Sequence, residues 1–295
     1  MKQENINNLK ITSNYDTSKV SWLKSGGIAK FFSSVKNDID LVKLISYLRQ
    51  QNIPFLVIGN FSNTLIRTNG FKGMIIKLSG NYSKIILQND DIIVGSSVQD
   101  KNFSIFCYEN SITGYEFLYT IPGTIGGNIF MNAGCFGYEI SNKIKKVRVL
   151  NTKSFEISEI DCKDINFQYR KGFQDKDFII LGCILKTKFS SKENIKKKIN
   201  ELDILRKQNQ PQKVNCCGSI FKNPSKISAW ELISTSVDKS FYNGAIKLSK
   251  KHSNFFENDA YIQPDKVENF LKLIEQKVFF KHKIQLEKEL QIYGD

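Results

Sequence analysis

Ile121-Pro-Gly-Thr-Ile-Gly-Gly-Asn-Ile-Phe-Met-Asn-Ala-Gly-Cys-Phe-Gly137 holds five glycines, at 123, 126, 127, 134 and 137, with one proline and two asparagines. Glycines this dense let backbone approach a ligand with no Cβ in the way, and they permit positive φ. Successive N–H groups can then form a concave nest for an anion such as a diphosphate. The run lacks the Lys-Ser/Thr ending of a P-loop, and no Gly-x-Gly-x-x-Gly fingerprint is present. A diphosphate here would be held by another architecture. The competing explanation is a glycine-rich loop packed on a neighbouring strand.

Outward from that stretch, apolar spacing marks the elements. Leu41, Leu44, Ile45 and Leu48 fall at helical spacing, with Asn37 or Asp38 as cap. Phe55–Ile58 reads as a short buried strand running into Gly59, and Met74–Leu78 as another. Aliphatic runs at 85–87, 92–94, 147–150 and 179–186 predict strands, and 99–110 predicts a helix. From about 191 the pattern turns helical: a lysine-rich helix over 192–207, one after Pro224 with Ser225 as a candidate cap, and one after Pro264. A terminal strand is expected over 284–292, where Ile284, Leu286, Leu290 and Ile292 alternate with polar residues.

Composition narrows the function. The chain has 295 residues and is 41% apolar, too apolar for disorder. Its amino-terminal residues are polar and no apolar run nears a membrane span, so a cytoplasmic protein with no membrane insertion is expected. Six cysteines without a Cys-x-x-Cys pair, and two histidines, argue against a metal site. The net charge of +14 suits anionic partners. The Lys196–Lys198 cluster reads as a solvated helix face, and no nucleic-acid motif accompanies it.

Four clusters could carry chemistry. Gly59-Asn60-Phe61-Ser62-Asn63 follows a strand, where Ser62 and Asn63 could meet a phosphate or ribose; a polar turn is the alternative. Tyr169-Arg170 could hold a carboxylate, or Arg170 could make a surface ion pair. Gly218-Ser-Ile-Phe-Lys-Asn-Pro224 presents Ser219, Lys222 and Asn223 from a tight turn. Glu289 lies on the polar face of the expected terminal strand, and is a candidate only if that face meets a cleft. Two histidines at 252 and 282 support no Ser-His-Asp arrangement.

In this order, these clusters together with Gly26-Gly27, His252-x-x-Phe-x-x-Asn258 and Leu286-Glu-Lys-Glu-Leu290 resemble the UDP-N-acetylenolpyruvoylglucosamine reductase family over nearly the whole chain, in its short subgroup lacking an extra insertion. The resemblance implies an α+β fold with a two-part FAD-binding region of the vanillyl-alcohol-oxidase type. Residues 1–80 and 81–190 would form the two parts, with the terminal segment 284–295 returning to the first. Residues 191–283 would form an α+β substrate-binding domain. It implies FAD as cofactor, NADPH as hydride donor, a UDP-sugar substrate and a monomer.

Carried over residue by residue, the resemblance makes Arg170, Ser219 and Glu289 catalytic. Gly59, Asn60, Phe61, Ser62, Asn63, Pro122, Gly123, Thr124, Gly126, Gly127, Asn132 and Gly134 would bind FAD. Tyr169, Lys207 and Asn223 would bind substrate. Ser219 would donate a proton to carbon, while Arg170 and Glu289 would sit at the carboxylate where negative charge builds. Glu289 would have to be protonated or act through a hydrogen bond, because a bare carboxylate would repel that charge. The chain departs from the family pattern at Phe61 and Ser97, both usually glycine, at Ser25 and Ile28, at Gly172 where serine is common, and in the turn near 236–243. Two other readings remain at this point: a relative acting on another nucleotide sugar, and a non-catalytic nucleotide-sugar binder.

Overall fold

The four apolar residues spaced for a helix near the amino terminus form α1 (Asp38–Gln50), and all four are buried. Asn37 caps it, its side-chain oxygen accepting from the Asp40 N–H at 2.9 Å and satisfying a donor that a helix start leaves open. In the computed structural model, which describes residues 9–212, 214–224, 227–238, 241–243 and 246–295, α1 packs on Val35, Met74, Ile76 and Leu78.

The chain divides into two compact units that interleave in sequence. The first holds the segment ending at Thr12 with Phe31–Asn60 and Gly73–Leu205; the second holds Ser13–Lys30, Phe61–Lys72 and Arg206–Asp295. This division is coarser than the three consecutive parts expected from sequence.

In the first unit, Phe55–Val57 pairs in parallel with Met74–Ile76 and leads straight to Gly59. A second sheet has five antiparallel strands in the order Ile157–Asp161, Ile144–Asn151, Phe178–Lys186, Asp91–Gly95 and Ile85–Gln88. The four runs predicted as strands lie within them. Val147, Val149, Leu185, Ile92 and Val94 form a core with Phe103 of α2 (Asp100–Glu109) and with Ile125 and Ile129. Those last two lie in α3 (Ile125–Met131), a helix inside the stretch read as a loop. Two glycines in its first turn disfavour a helix by about 1 kcal/mol each. Ile125 and Ile129, both 0% exposed, outweigh that by burial. Thr124 caps the start, accepting from the Gly127 N–H at 3.3 Å, and Asn132 ends it in the left-handed region at φ 46°. The lysine-rich segment is α4 (Lys192–Asn209), with Ile195, Ile199 and Leu202 buried on one face.

The second unit has its own core of Leu65, Ile220, Phe221, Leu232, Ile246, Phe256 and Phe270 among others. Helix α5 (Ala229–Ser236) is capped by Ser228; Ser225, the expected cap, lies outside the described residues. Helix α6 (Pro264–His282) buries Val267, Phe270, Leu271, Ile274 and Val278, the face its spacing predicts.

The expected terminal strand is corrected. Only Gln291–Tyr293 is strand, paired in parallel with Thr64–Ile66. Leu286 and Leu290 are buried and Glu287 is exposed, so the alternation is real. The segment 287–289 meets its neighbours through one bridge, Phe221 to Lys288, rather than a continuous ladder. Among the described residues no helix is long and apolar enough to cross a membrane, and no cluster of ligands for a metal occurs.

Candidate active site

In the first unit the turn after Phe55–Val57 lies against the start of α3. A Cβ on Gly59 would stand 2.5 Å from Thr124 Oγ1, and the Asn60 amide donates to the Pro122 carbonyl at 3.5 Å. Gly123 packs on Asp100, where a Cβ would meet Oδ2 at 2.5 Å, and Gly126 on Ser96, where it would meet Cβ at 2.8 Å. The expected nest needs correction here. The N–H groups of Ile125 and Gly126 donate to Val98 and Ser96 carbonyls at 3.0 and 2.8 Å, so they are spent inside the unit. Close packing explains 59, 123 and 126. Gly127 is exposed, with only Thr124 Oγ1 at 3.5 Å from its would-be Cβ. The exposed backbone at Gly127, at the Thr124-capped start of α3, is the surface that fits a diphosphate-bearing cofactor such as FAD.

Behind this surface lies a residue that sequence reasoning missed. Asp100 is 0% exposed. Its Oδ1 accepts from the Asn128 amide at 2.7 Å, while Oδ2 has no partner among the described residues. Burial holds its carboxyl well above the usual carboxylate range, and the Gly123 backbone and Asn128 pull only partly the other way.

Arg170 sits at the tip of a tight turn in the same unit. Gln168 and Lys171 exchange N–H···O bonds of 2.8 and 3.0 Å, with Tyr169 and Arg170 between them. Arg170 is left-handed at φ 53°. Its guanidinium donates to the Gly134 carbonyl at 2.7 Å, lies 3.9 Å from Glu139 Oε1, and covers the Tyr169 ring at 4.8 Å. Asn132 steadies this arrangement from within: 1% exposed, it donates to Glu139 at 2.9 Å and to the Gln168 carbonyl at 3.0 Å. Asn132 and Gly134, expected at the cofactor, are therefore tied to the arginine turn in this unit. Gly172, a departure from the family pattern, is required by packing, since a Cβ would stand 1.9 Å from the Ile129 carbonyl oxygen. At Ser97, another departure, the hydroxyl meets that of Ser83 at 2.9 Å.

Ser219 and Glu289 belong to the second unit, which brings their segments together. The Glu289 N–H donates to the Ile220 carbonyl at 2.8 Å, and the Lys222 N–H donates to the Glu287 carbonyl at 2.8 Å. This antiparallel register sets Glu289 beside the residue that follows Ser219. The Lys222 ammonium reaches Glu287 at 2.6 Å. Asn63 anchors the same segment, its amide donating to the Glu289 carbonyl at 3.0 Å. Phe61, of the same turn, is left-handed at φ 52° and 4% exposed. Its carbonyl accepts from the Trp22 N–H at 3.2 Å; Phe61 is thus the buried member of the turn, and the other four residues of 59–63 are half-buried. Ser25, another departure, donates to the Ile262 carbonyl at 2.8 Å.

The expected substrate residues differ in setting. Tyr169 is 44% exposed. Lys207 is exposed in the last turn of α4, and its carbonyl accepts from the Lys251 ammonium. Asn223 accepts from the Ala229 N–H at 3.0 Å and so closes the start of α5.

Residues 29–154 match the model of an FAD binding domain, and 210–293 match that of the UDP-N-acetylenolpyruvoylglucosamine reductase C-terminal domain. The UDP-N-acetylenolpyruvoylglucosamine reductase of Rickettsia akari (strain Hartford) is 34% identical over 284 residues, 95% of this chain and 94% of that protein. The protein of the same name from Pelagibacter ubique (strain HTCC1062) is 36% identical over 287 residues, 96% and 94% of the two chains. The crystal structure of UDP-N-acetylenolpyruvylglucosamine reductase from Thermus caldophilus superposes with a TM-score of 0.83 at 25% identity, covering 97% of this chain and 99% of that one.

Proposed function

The chain belongs to the UDP-N-acetylenolpyruvoylglucosamine reductase family, and we propose that Arg170, Ser219 and Glu289 carry its chemistry. The activity is reduction of the enolpyruvyl group of UDP-N-acetylglucosamine enolpyruvate to give UDP-N-acetylmuramate, a peptidoglycan precursor. FAD, reduced by NADPH, supplies the hydride; the turn 59–63 and residues 122–127 would hold it.

The remaining work falls to the protein's own side chains. Adding hydride to an alkene conjugated with a carboxylate drives negative charge onto that carboxylate, which must be stabilised before the neighbouring carbon takes a proton. Arg170 is suited to the first task, because its guanidinium is a fixed positive charge oriented by the Gly134 carbonyl and Glu139. Ser219 is assigned the proton transfer to carbon, and Glu289 a hydrogen bond to the developing enolate. Tyr169, Lys207 and Asn223 would hold the UDP-sugar. The observation that carries the reading is the pairing of 220–222 with 287–289, which sets Glu289 against Ile220 and so brings the segments of Ser219 and Glu289 together.

We read residues 1–80 and 81–190 as the two parts of the FAD region and 191–283 as the substrate domain, in a cytoplasmic monomer, since both the nucleotide sugar and NADPH are soluble. Anaerobic mixing tests the function. NADPH should bleach the bound flavin, and UDP-N-acetylglucosamine enolpyruvate should restore its colour. Bleaching without restoration by this sugar would point to a different acceptor.

A further inference from the structure

The carboxyl end of α6, in the second unit, carries a feature that neither the fold nor the reduction chemistry uses. The helix buries Val267, Phe270, Leu271, Ile274 and Val278 along one face. Its outward face should then be polar. Instead Phe280 is 81% exposed, the highest value for any large apolar residue among the described ones, and its neighbour Phe279 is 48% exposed. Leu273, two turns earlier on the outward stripe that holds Phe280, is 38% exposed. Two adjacent rings and a leucine make a patch rather than a scattered apolar residue.

The charges around this patch have one sign. From Leu271 to Lys283 the chain has four lysines, Lys272, Lys277, Lys281 and Lys283, and one acidic residue, Glu275. The Glu275 side chain is only 13% exposed, and its carboxylate meets the Lys288 ammonium at 2.6 Å. The four lysines are all exposed. The helix stop sets one of them beside the rings. Lys283 takes the left-handed region at φ 57°, and its N–H donates to the Phe279 carbonyl at 2.9 Å. Its ammonium lies 5.5 Å from the centre of the Phe280 ring and 6.0 Å from that of Phe279.

Area and charge decide what such a patch fits. At about 200 Å² per phenylalanine, the two rings expose on the order of 250 Å² together. Each partner in a stable protein interface gives roughly 800 Å². A bilayer surface asks for less: its boundary takes up a few apolar side chains, and its anionic headgroups attract the ammonium groups around them. We propose that the end of α6 is a contact for an anionic membrane surface, with Phe279 and Phe280 entering the headgroup boundary and the four lysines facing the lipid phosphates. The contact is peripheral and reversible, and it spans nothing. No residue of the patch is among those assigned to cofactor or substrate.

Co-sedimentation of the FAD-loaded enzyme with vesicles of mixed phosphatidylglycerol and phosphatidylcholine, and with vesicles of phosphatidylcholine alone, tests the proposal. The enzyme should bind the first and not the second, and high salt should release it. Phe280→Ser should weaken binding to the anionic vesicles by about tenfold. Lys277→Gln combined with Lys283→Gln should weaken it by about tenfold as well. The chain carries +14 overall, so general charge is tested by Lys196→Gln combined with Lys197→Gln on α4, which should leave binding nearly unchanged. No binding to the anionic vesicles, equal binding to phosphatidylcholine alone, unaltered binding in Phe280→Ser, or equal weakening by the α4 pair would overturn the proposal. Self-association of the vesicle-free enzyme that Phe280→Ser abolishes would give the patch to a second copy of the chain instead. If Phe280→Ser fails to fold, Phe280→Trp decides: its added emission should shift to the blue with anionic vesicles, and an unshifted spectrum would overturn the proposal.

Discussion

Phe61 shows how two effects at one residue are weighed. Its left-handed backbone at φ 52° costs about 1–2 kcal/mol for a residue with a Cβ. Its ring is 96% removed from solvent, with 4% exposed, and deleting a buried phenylalanine costs about 3–5 kcal/mol. Burial wins. Phe61→Gly should therefore destabilise the protein by about 1–4 kcal/mol in urea unfolding, despite supplying the glycine that the family resemblance leads one to expect there. A stabilised variant would show that backbone strain dominates. Asp100 offers a second test. Between the ordinary carboxyl value of 3.8 and its raised folded value, the folded state keeps a proton that the unfolded state releases, so stability falls as pH rises through that window. Asp100→Asn keeps an acceptor for Asn128 and cannot ionise. It should raise the melting temperature near neutral pH, with the gain shrinking to nothing as pH falls toward 3.8. A gain independent of pH would contradict a neutral carboxyl. Nothing in the sequence marks Asp100, because an acidic residue in the first turn of α2 looks like an ordinary partner for the helix dipole.

At the scale of elements, what the sequence reveals is set by periodicity. α1 and α6 were legible because their apolar residues share one face, and the strands of the five-stranded sheet because their β-branched runs end in polar turns. α3 was not, since paired glycines signal a loop and the burial of Ile125 and Ile129 that overrides them is a tertiary fact. The segment 284–290 misled for another reason: alternating burial is common to a strand and to an extended segment held by one bridge. The turn that carries Arg170 depends on Gly172. Its N–H donates to the Phe130 carbonyl at 3.1 Å, and a Cβ would drive the Ile129 carbonyl away. Gly172→Ala should shift the turn, lowering turnover more than it lowers the rate of flavin reduction by NADPH. Equal losses in both steps would mean that the turn serves the cofactor rather than the substrate.

For the whole molecule, a net charge of +14 fits an enzyme whose cofactor, hydride donor and substrate are all anionic. The residue types proposed for the chemistry come from the sequence. Their settings do not: Arg170 belongs to one unit and Ser219 with Glu289 to the other, in a chain that passes between units several times. The partners that orient them, Glu139, Asn132 and Asn63, are single polar residues with no sequence signature. The central claim is that Ser219 delivers the proton that completes reduction of the enolpyruvyl group. Stopped-flow absorbance of Ser219→Ala, with the two half-reactions followed separately, tests it most directly. Flavin reduction by NADPH should proceed at the unaltered rate, and reoxidation by UDP-N-acetylglucosamine enolpyruvate should be slowed by at least about a hundredfold, the usual scale of a lost general acid. Reoxidation at the unaltered rate, or equal loss of both half-reactions, would contradict it.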